Sequence, residues 1–175
     1  GDADPHRALR PRPEGVDAPT LKEAGIDVTL ENWRMVAAGP GITDEQKAAY
    51  LPRLASGELI ASFALTEPEA GSDAASLRTT AIRAVDADGE HYVVNGTKRF
   101  ITNAPQAGLF TLMARTNAKD PGAGGVSAFI VDAKSPGISL GKPDRKMGQR
   151  GAHTCDVTFE DCRVPAANLI GLTEG

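Results

Sequence analysis

The sequence of 175 residues has little of several things that mark specialised classes of protein, since it holds one tryptophan, three histidines and two cysteines. No apolar run approaches the roughly 20 residues of a membrane-spanning helix. Acidic residues outnumber basic ones by 23 to 19, and the net charge of −4 leaves no basic surface for nucleic acid. Cys155 and Cys162 have neither the Cys-x-x-Cys spacing nor the cluster of histidines that a zinc site requires. We therefore expect two reduced thiols, no disulfide framework and no bound metal.

The residues that are present change in character along the chain. Residues 1–18 are rich in proline and arginine, carry almost no large apolar side chains and are predicted to form a mobile arm. Residues 19–57 are predicted to form short helices, one with an apolar stripe from Leu30 to Ala37 and one that begins at a capping box from Thr43 to Gln46. Pro52 is predicted to interrupt this second helix and to open a new turn that Gly57 ends.

The apolar pattern changes from a period of about 3.6 residues to a period of about 2 near residue 58, which predicts β-strands from there on. Asn95-Gly96 lies between two β-prone runs and predicts a hairpin turn. Further β-prone runs occupy residues 109–115, 126–132, 138–140 and 154–160, with Gly, Pro and Asp between them. The predicted fold is mainly β: an antiparallel β-barrel or β-sandwich domain over residues 58–171, preceded by a few short helices.

Several polar segments are candidates for chemistry. Residues 66–73 leave a predicted strand and are rich in small side chains, so their exposed backbone N–H groups suit a phosphate or another anion. On composition alone, an ordinary turn is the favoured interpretation of this segment. The charged run 142–146 could bind phosphate and is interpreted as a solvated loop. His153 is interpreted as an ordinary hydrogen-bonded residue, and Arg115 and Asp132 as surface residues at strand ends.

Four blocks of residues, in this order, resemble the acyl-CoA dehydrogenase family. The first block is similar to the segment just before the family's flavin-binding signature, and the other blocks are similar to its three signatures. They occupy residues 43–58, residues 63–73, residues 95–103, and residues 147–151 together with 159–165. The resemblance extends over about residues 43–171 and implies the FAD-binding β-domain of that family. Residues 172–175 would then be the start of a linker to a helical domain that is missing here.

The resemblance implies an FAD site along the first two signatures, formed by Phe63, Leu65, Thr66, Gly71, Ser72, Phe100, Ile101 and Thr102. Phe100 stands where many members carry tryptophan and would flank the flavin ring, with a plain core position as the alternative. The Thr102 hydroxyl would lie within reach of the flavin N5 side. Ser72 and Thr154 are the candidate contacts to acyl-CoA. Several members have an Asp-Thr-Arg-Gly run in the third signature, and of that run only Thr154 is kept.

The implied reaction is the α,β-dehydrogenation of an acyl-CoA thioester, in which a glutamate removes the α-proton and FAD accepts the β-hydrogen as hydride. That glutamate belongs to the family's C-terminal helical domain, so no catalytic residue is predicted in this chain. We expect the chain alone to bind FAD weakly or not at all and to be inactive. The resemblance also implies an electron-transfer flavoprotein as partner, a homo-oligomer, and a cytoplasmic location, or the mitochondrial matrix in a eukaryote.

Two other functions stay open at this point. One is a stand-alone binding or interaction module built on the same β-domain, without redox chemistry. The other is a relative that uses the same flavin site for another substrate, such as an acyl-CoA oxidase or a nitroalkane-oxidising enzyme. The signatures of the β-domain do not separate these functions, because the base and much of the acyl pocket lie elsewhere in the family.

Overall fold

The computed structural model describes residues 41–171 and 173–174, and within them one α-helix is followed by eight β-strands. The helix α1 spans Asp44–Ser56. The strands are β1 (Ala61–Ala64), β2 (Thr80–Asp86), β3 (Gly89–Thr102), β4 (Leu109–Arg115), β5 (Val126–Asp132), β6 (Ile138–Leu140), β7 (Thr154–Pro165) and β8 (Leu169–Ile170). The predicted mainly β fold is confirmed. The predicted arm and the helix with the stripe from Leu30 to Ala37 lie outside the described residues.

The helix α1 begins at the predicted capping box. The Thr43 hydroxyl accepts a hydrogen bond from the Gln46 backbone N–H (3.2 Å), and the Gln46 side chain accepts one from the Thr43 N–H (3.2 Å). Gly57 ends the helix in a left-handed conformation (φ 76°), as predicted. The predicted break at Pro52 is wrong, because the helix continues through it. Pro52 and Ala48 are both exposed, so water can hydrate the Ala48 carbonyl that the proline leaves without its helical donor.

The strands form one sheet in the order β6-β7-β3-β2-β4-β5-β8, and β1 pairs with β4 outside this order. β1 lies parallel to residues 109–112 of β4, whereas β2 meets β4 only where Thr80 pairs with Arg115. The remaining described pairs are antiparallel. The prediction of a mainly antiparallel sheet is therefore confirmed, with β1 as a parallel addition that places residues 61–64 beside the middle of the sheet.

The sheet curls so that its two halves face each other. Strands β7 and β4 are three steps apart in the sheet, which would separate them by about 14 Å if the sheet were flat. The rings of Phe110 on β4 and Phe159 on β7 are nevertheless 6.2 Å apart, in an edge-to-face arrangement. Tyr92 on β3 and Phe129 on β5 are also three steps apart, and their rings are 4.8 Å apart. These buried aromatic pairs fill the space that the curled sheet encloses.

The predicted hairpin turn at Asn95-Gly96 is wrong, since β3 runs without a break from Gly89 to Thr102. The turn lies earlier, between β2 and β3, where Asp86 pairs with Gly89. Gly96 serves another purpose: a Cβ atom at this position would lie 2.7 Å from the Thr79 Cα, so only glycine permits the close approach of the two backbones.

We expect Gly96→Ala to lower the free energy of unfolding by about 2–4 kcal/mol, because the added methyl group collides with the Thr79 backbone. Gly89→Ala is the matched control, since Gly89 also has a positive φ (109°) but has no atom within 4 Å of the added Cβ. Gly89→Ala should lower the free energy of unfolding by only about 1–2 kcal/mol, because it adds backbone strain without a collision. Urea unfolding of both variants measures the difference, and equal losses would contradict the steric explanation.

Cys155 and Cys162 are free cysteines in this structure, and both are fully buried. Burial raises the pKa of Cys162 to about 11 and also raises the pKa of Cys155, so neither is a reactive thiolate at neutral pH. Among the described residues, no helix has the length and apolar character needed to cross a membrane. The same residues contain no group of three or more His, Cys, Asp or Glu side chains arranged to hold a metal ion.

Candidate functional site

The first two signatures lie side by side, although about twenty residues lie between them along the chain. The Ser62 hydroxyl donates a hydrogen bond to the Thr102 carbonyl (2.7 Å), across 40 positions of sequence. The Arg99 N–H donates to the Thr66 carbonyl (2.7 Å). Thr154 pairs with Thr102 across β3 and β7, so the third signature meets the second there. The structure thus brings most of the predicted site residues into one region of the sheet.

Two phenylalanines stand out from this region into solvent. In β1, Ser62 and Ala64 face the core, and Phe63 points the other way with 55% of its surface exposed. Phe100 is 57% exposed, which excludes a plain core position for it. Ile101 next to it is buried in the core, so its side chain is not on the exposed face. Phe63 and Phe100 are thus two large exposed aromatic side chains, and exposed rings of this kind suit a flat, apolar ligand.

A β-bulge explains why Phe100 and Ile101 point in opposite directions. β3 has one residue more than β7 between Lys98 and Ile101, because Lys98 pairs with Val157 and Ile101 with Cys155. Phe100 occupies a left-handed backbone conformation (φ 58°), which is unfavourable for an aromatic residue. Such strain is concentrated at functional sites, where the surrounding structure holds it in place. The bulge therefore directs the Phe100 ring outwards at the expense of local backbone energy.

Lys98, the last paired residue of β3 before this bulge, forms a buried ion pair with Glu67. The Lys98 side chain is fully buried, and its Nζ donates to Glu67 Oε1 (2.8 Å) and to the Leu65 carbonyl (3.1 Å). Burial would raise the pKa of Glu67, but hydrogen bonds from Lys98 and from two backbone amides outweigh this and hold the pKa below its usual range. Burial lowers the pKa of Lys98, and the attraction of Glu67 opposes that change. The Glu67 carboxylate is thus ionised and fully engaged within the chain.

The loop that follows β1 carries the remaining predicted residues of the first signature. Leu65 and Thr66 are half-buried, whereas Gly71 and Ser72 are exposed. A Cβ atom at Gly71 would meet no atom within 4 Å. Neither packing within the chain nor a positive φ requires glycine at this position, which leaves open room for a ligand to approach the backbone.

Arg115 has a role that the sequence did not reveal, and its interpretation as a plain surface residue is wrong. Its guanidinium donates to five backbone carbonyls, those of Ala75, Leu77, Asp120, Pro121 and Gly122. These contacts join the end of the first-signature loop to the connection between β4 and β5. Nothing in the local pattern around Arg115 indicates such a role, because its acceptors lie up to forty residues away. Asp132, by contrast, is exposed as expected.

The charged segment before β7 lines a concave region. Asp144, Lys146, Arg150 and His153 are among the residues that line a cavity of about 350 Å³. Lys146 donates to the Ala152 carbonyl, and Arg150 donates to the Lys146 carbonyl. His153 Nδ1 is 2.9 Å from Gln106 Nε2. The Thr154 hydroxyl, a predicted acyl-CoA contact, donates to Asp144 Oδ2 (2.8 Å). These groups bind one another at an exposed loop, as expected for a solvated segment with an ordinary hydrogen-bonded histidine.

Comparison with known proteins agrees with this architecture. Residues 62–162, more than half of the chain, match the family model of the acyl-CoA dehydrogenase middle domain. Acryloyl-CoA reductase (NADH) of Anaerotignum propionicum is 52% identical over 129 residues, which cover 74% of this chain and 32% of that protein. Butyryl-CoA dehydrogenase of Megasphaera elsdenii superimposes with a TM-score of 0.70 at 39% identity, covering 76% of this chain and 33% of that one.

A third similar structure is an FAD complex of PigA, with a TM-score of 0.69, 40% identity, and coverage of 76% of this chain and 33% of that one. The chain thus spans about a third of the length of the relatives that it matches. The matched segment includes the strands that carry Phe63, Phe100 and Thr154, so the likeness extends over the exposed face described above. The family model matches more than half of the chain, and the chain therefore belongs to the acyl-CoA dehydrogenase family.

Proposed function

We propose that this chain supplies the β-domain wall of an FAD and acyl-CoA site in an enzyme that dehydrogenates an acyl-CoA thioester at its α,β bond. The observation that carries the proposal is the exposed pair of phenylalanines on β1 and β3, one of them held out by a strained bulge. Exposed aromatic rings of this size are unfavourable in water and favour an apolar partner. Membership of the family supports the inference that this partner is FAD.

The residues present fit FAD on one side. Phe63 and Phe100 would cover part of the flavin ring. Gly71 leaves room for the cofactor to contact the protein backbone. The Thr66 and Thr102 hydroxyls would donate hydrogen bonds to polar atoms at the ring edge. When bound, FAD supplies the acceptor for the hydride that leaves the β-carbon. The Ser72 and Thr154 hydroxyls are the proposed contacts to the acyl-CoA, which they would bind and orient.

The proton chemistry is proposed to come from outside the described residues. Glu67 is the buried carboxylate at this site, and its oxygens are occupied by Lys98 and by the Arg78 and Thr79 amides. It is therefore not available as a base for the α-proton. Because the chain spans about a third of its relatives, we infer that the base lies in the remaining part of such proteins. The chain alone would then bind FAD weakly and be inactive.

We also propose an electron acceptor, an assembly and a direction of the reaction for this protein. By family, we infer an electron-transfer flavoprotein as the acceptor and a homo-oligomer as the assembly. The 52% identity to an acryloyl-CoA reductase supports a second candidate, which is reduction of an α,β-unsaturated acyl-CoA at the same site. Dehydrogenation and reduction act on the same α,β bond of the acyl-CoA and would use the same residues of the β-domain. The two reactions would differ in the redox partner.

An FAD titration, followed by flavin fluorescence and absorbance, tests the proposed function. We expect the complete gene product to bind FAD tightly and its flavin absorbance to bleach when an acyl-CoA is added, whereas the 175-residue chain alone should bind FAD at least about tenfold more weakly. Bleaching by NADH, followed by recovery with acryloyl-CoA, would favour the reductase. A complete gene product without affinity for FAD would contradict the proposal and favour a binding module.

A further inference from the structure

The loop of residues 65–79 is closed upon itself by one carboxylate. The Glu67 N–H donates to the Ala70 carbonyl (2.9 Å) and the Ala70 N–H to the Glu67 carbonyl (3.3 Å), so the loop starts with a tight turn. The Glu67 side chain then accepts from the N–H groups of Arg78 (2.6 Å) and Thr79 (2.9 Å), eleven and twelve residues further on. One side chain therefore joins the start of the loop to its end.

The same carboxylate connects the loop to β3. Lys98 donates to Glu67 and to the Leu65 carbonyl, and the next residue, Arg99, donates its N–H to the Thr66 carbonyl. Two consecutive residues of β3 thus hold two consecutive residues of the loop, directly before the bulge at Phe100. Within the loop, the exposed segment from Gly71 to Asp73 offers no apolar side chain that could anchor it by burial.

We propose that the buried ion pair of Lys98 and Glu67 positions the 65–79 loop against the bulge of β3, so that the loop and Phe100 form a preformed wall for FAD. This inference rests on the proposed function. Neither Lys98 nor Glu67 is exposed on the face of the two phenylalanines, so both act as positioning residues. A buried pair is stable only with good geometry and all partners in place, which restricts the loop to one arrangement. A wall already ordered loses less entropy when the cofactor binds.

Two single variants and one control, made in the complete gene product, test the pair. Lys98→Met removes the charge and keeps the aliphatic stem, and Glu67→Gln keeps the shape of the carboxylate and removes its charge. The control, Arg83→Met, removes a cation from the exposed pair with Glu90 on the same sheet (2.7 Å). Amide hydrogen exchange reports the order of the loop without FAD, and titration with FAD reports the binding constant and the spectrum of the bound flavin.

We expect both variants to speed exchange of the Arg78, Thr79 and Arg99 amides by at least about tenfold, with little change in the β4–β5 pair. The affinity for FAD should fall by at least about tenfold, and the absorbance spectrum of the flavin at saturating FAD should shift, since its wall is displaced. Lower thermal stability alone would leave that spectrum unchanged. Arg83→Met should change exchange and affinity by less than about twofold.

Wild-type exchange of the three amides in a folded Lys98→Met variant would overturn the inference. If that variant does not fold, Glu67→Gln decides in the same way, because its size and shape are those of the wild-type residue. An unshifted flavin spectrum in Glu67→Gln, together with wild-type affinity, would also overturn it. A wild-type protein that does not bind FAD contradicts the proposed function instead, and the exchange of the loop amides then still shows whether the pair positions the loop.

Discussion

Phe110→Ala is expected to lower the free energy of unfolding by about 3–5 kcal/mol, whereas the same substitution at Phe63 should lower it by less than about 1 kcal/mol. Phe110 is fully buried in β4 and packs edge-to-face against Phe159 of β7. Its removal leaves a cavity between the two halves of the curled sheet, which cannot close without moving both strands. Phe63 lies on β1, which pairs with β4, but its ring is more than half exposed and leaves no such cavity.

Chemical unfolding of the two variants measures this difference, and an FAD titration should give the reverse order. Phe63→Ala is expected to weaken FAD binding by about fivefold to tenfold, because it removes one of the two exposed aromatic rings and leaves the core intact. Phe110→Ala, measured under conditions where the variant stays folded, should weaken FAD binding less than Phe63→Ala does. Similar losses of stability in both variants would contradict the assignment of Phe110 to the core and of Phe63 to the binding face.

Part of the sheet was predictable because its shorter strands are clearly separated along the chain. β4, β5 and β6 occupy the predicted ranges, since alternating β-prone runs there end at Gly, Pro or Asp. The hairpin turn predicted at Asn95-Gly96 is absent, although this dipeptide is the strongest short turn signal. Gly96 is needed there for the approach of Thr79, a residue that pattern reasoning along β3 does not see. A glycine in a β-prone run can therefore mark a turn or the close approach of another backbone segment, and only the tertiary structure distinguishes the two.

The residues of the candidate site were predictable only through the resemblance, and the contacts that support them were not predictable from local patterns. Local patterns place neither Ser62 beside Thr102 nor Lys98 beside Glu67, because these contacts join residues 40 and 31 positions apart. Ile101 shows the limit of carrying residues over as a block, since its side chain turns into the core beside two exposed neighbours. The bulge that separates it from Phe100 depends on the register with β7, which the sequence of β3 alone does not contain.

Phe100→Gly is expected to separate the strain in the bulge from the function of the ring. Glycine adopts the left-handed conformation without strain, which favours the variant by about 1–2 kcal/mol, while the greater entropy of its unfolded chain opposes this by about 0.5–1 kcal/mol. The exposed ring contributes little burial, so the free energy of unfolding should stay within about 1 kcal/mol of wild type. The loss of the ring should nevertheless weaken FAD binding by about tenfold or more, which corresponds to about 1.4 kcal/mol.

Two companion variants make this expectation specific. Phe100→Ala also lacks the ring but keeps a Cβ in the strained conformation (φ 58°), so it should match the loss of FAD affinity and be less stable than Phe100→Gly by about 1 kcal/mol. Ile82→Ala removes another exposed apolar side chain, on β2, and should leave FAD binding unchanged. If Phe100→Gly kept wild-type affinity, the ring would not contact FAD. If it were also clearly more stable than wild type, the strain at the bulge would have no role in binding the cofactor.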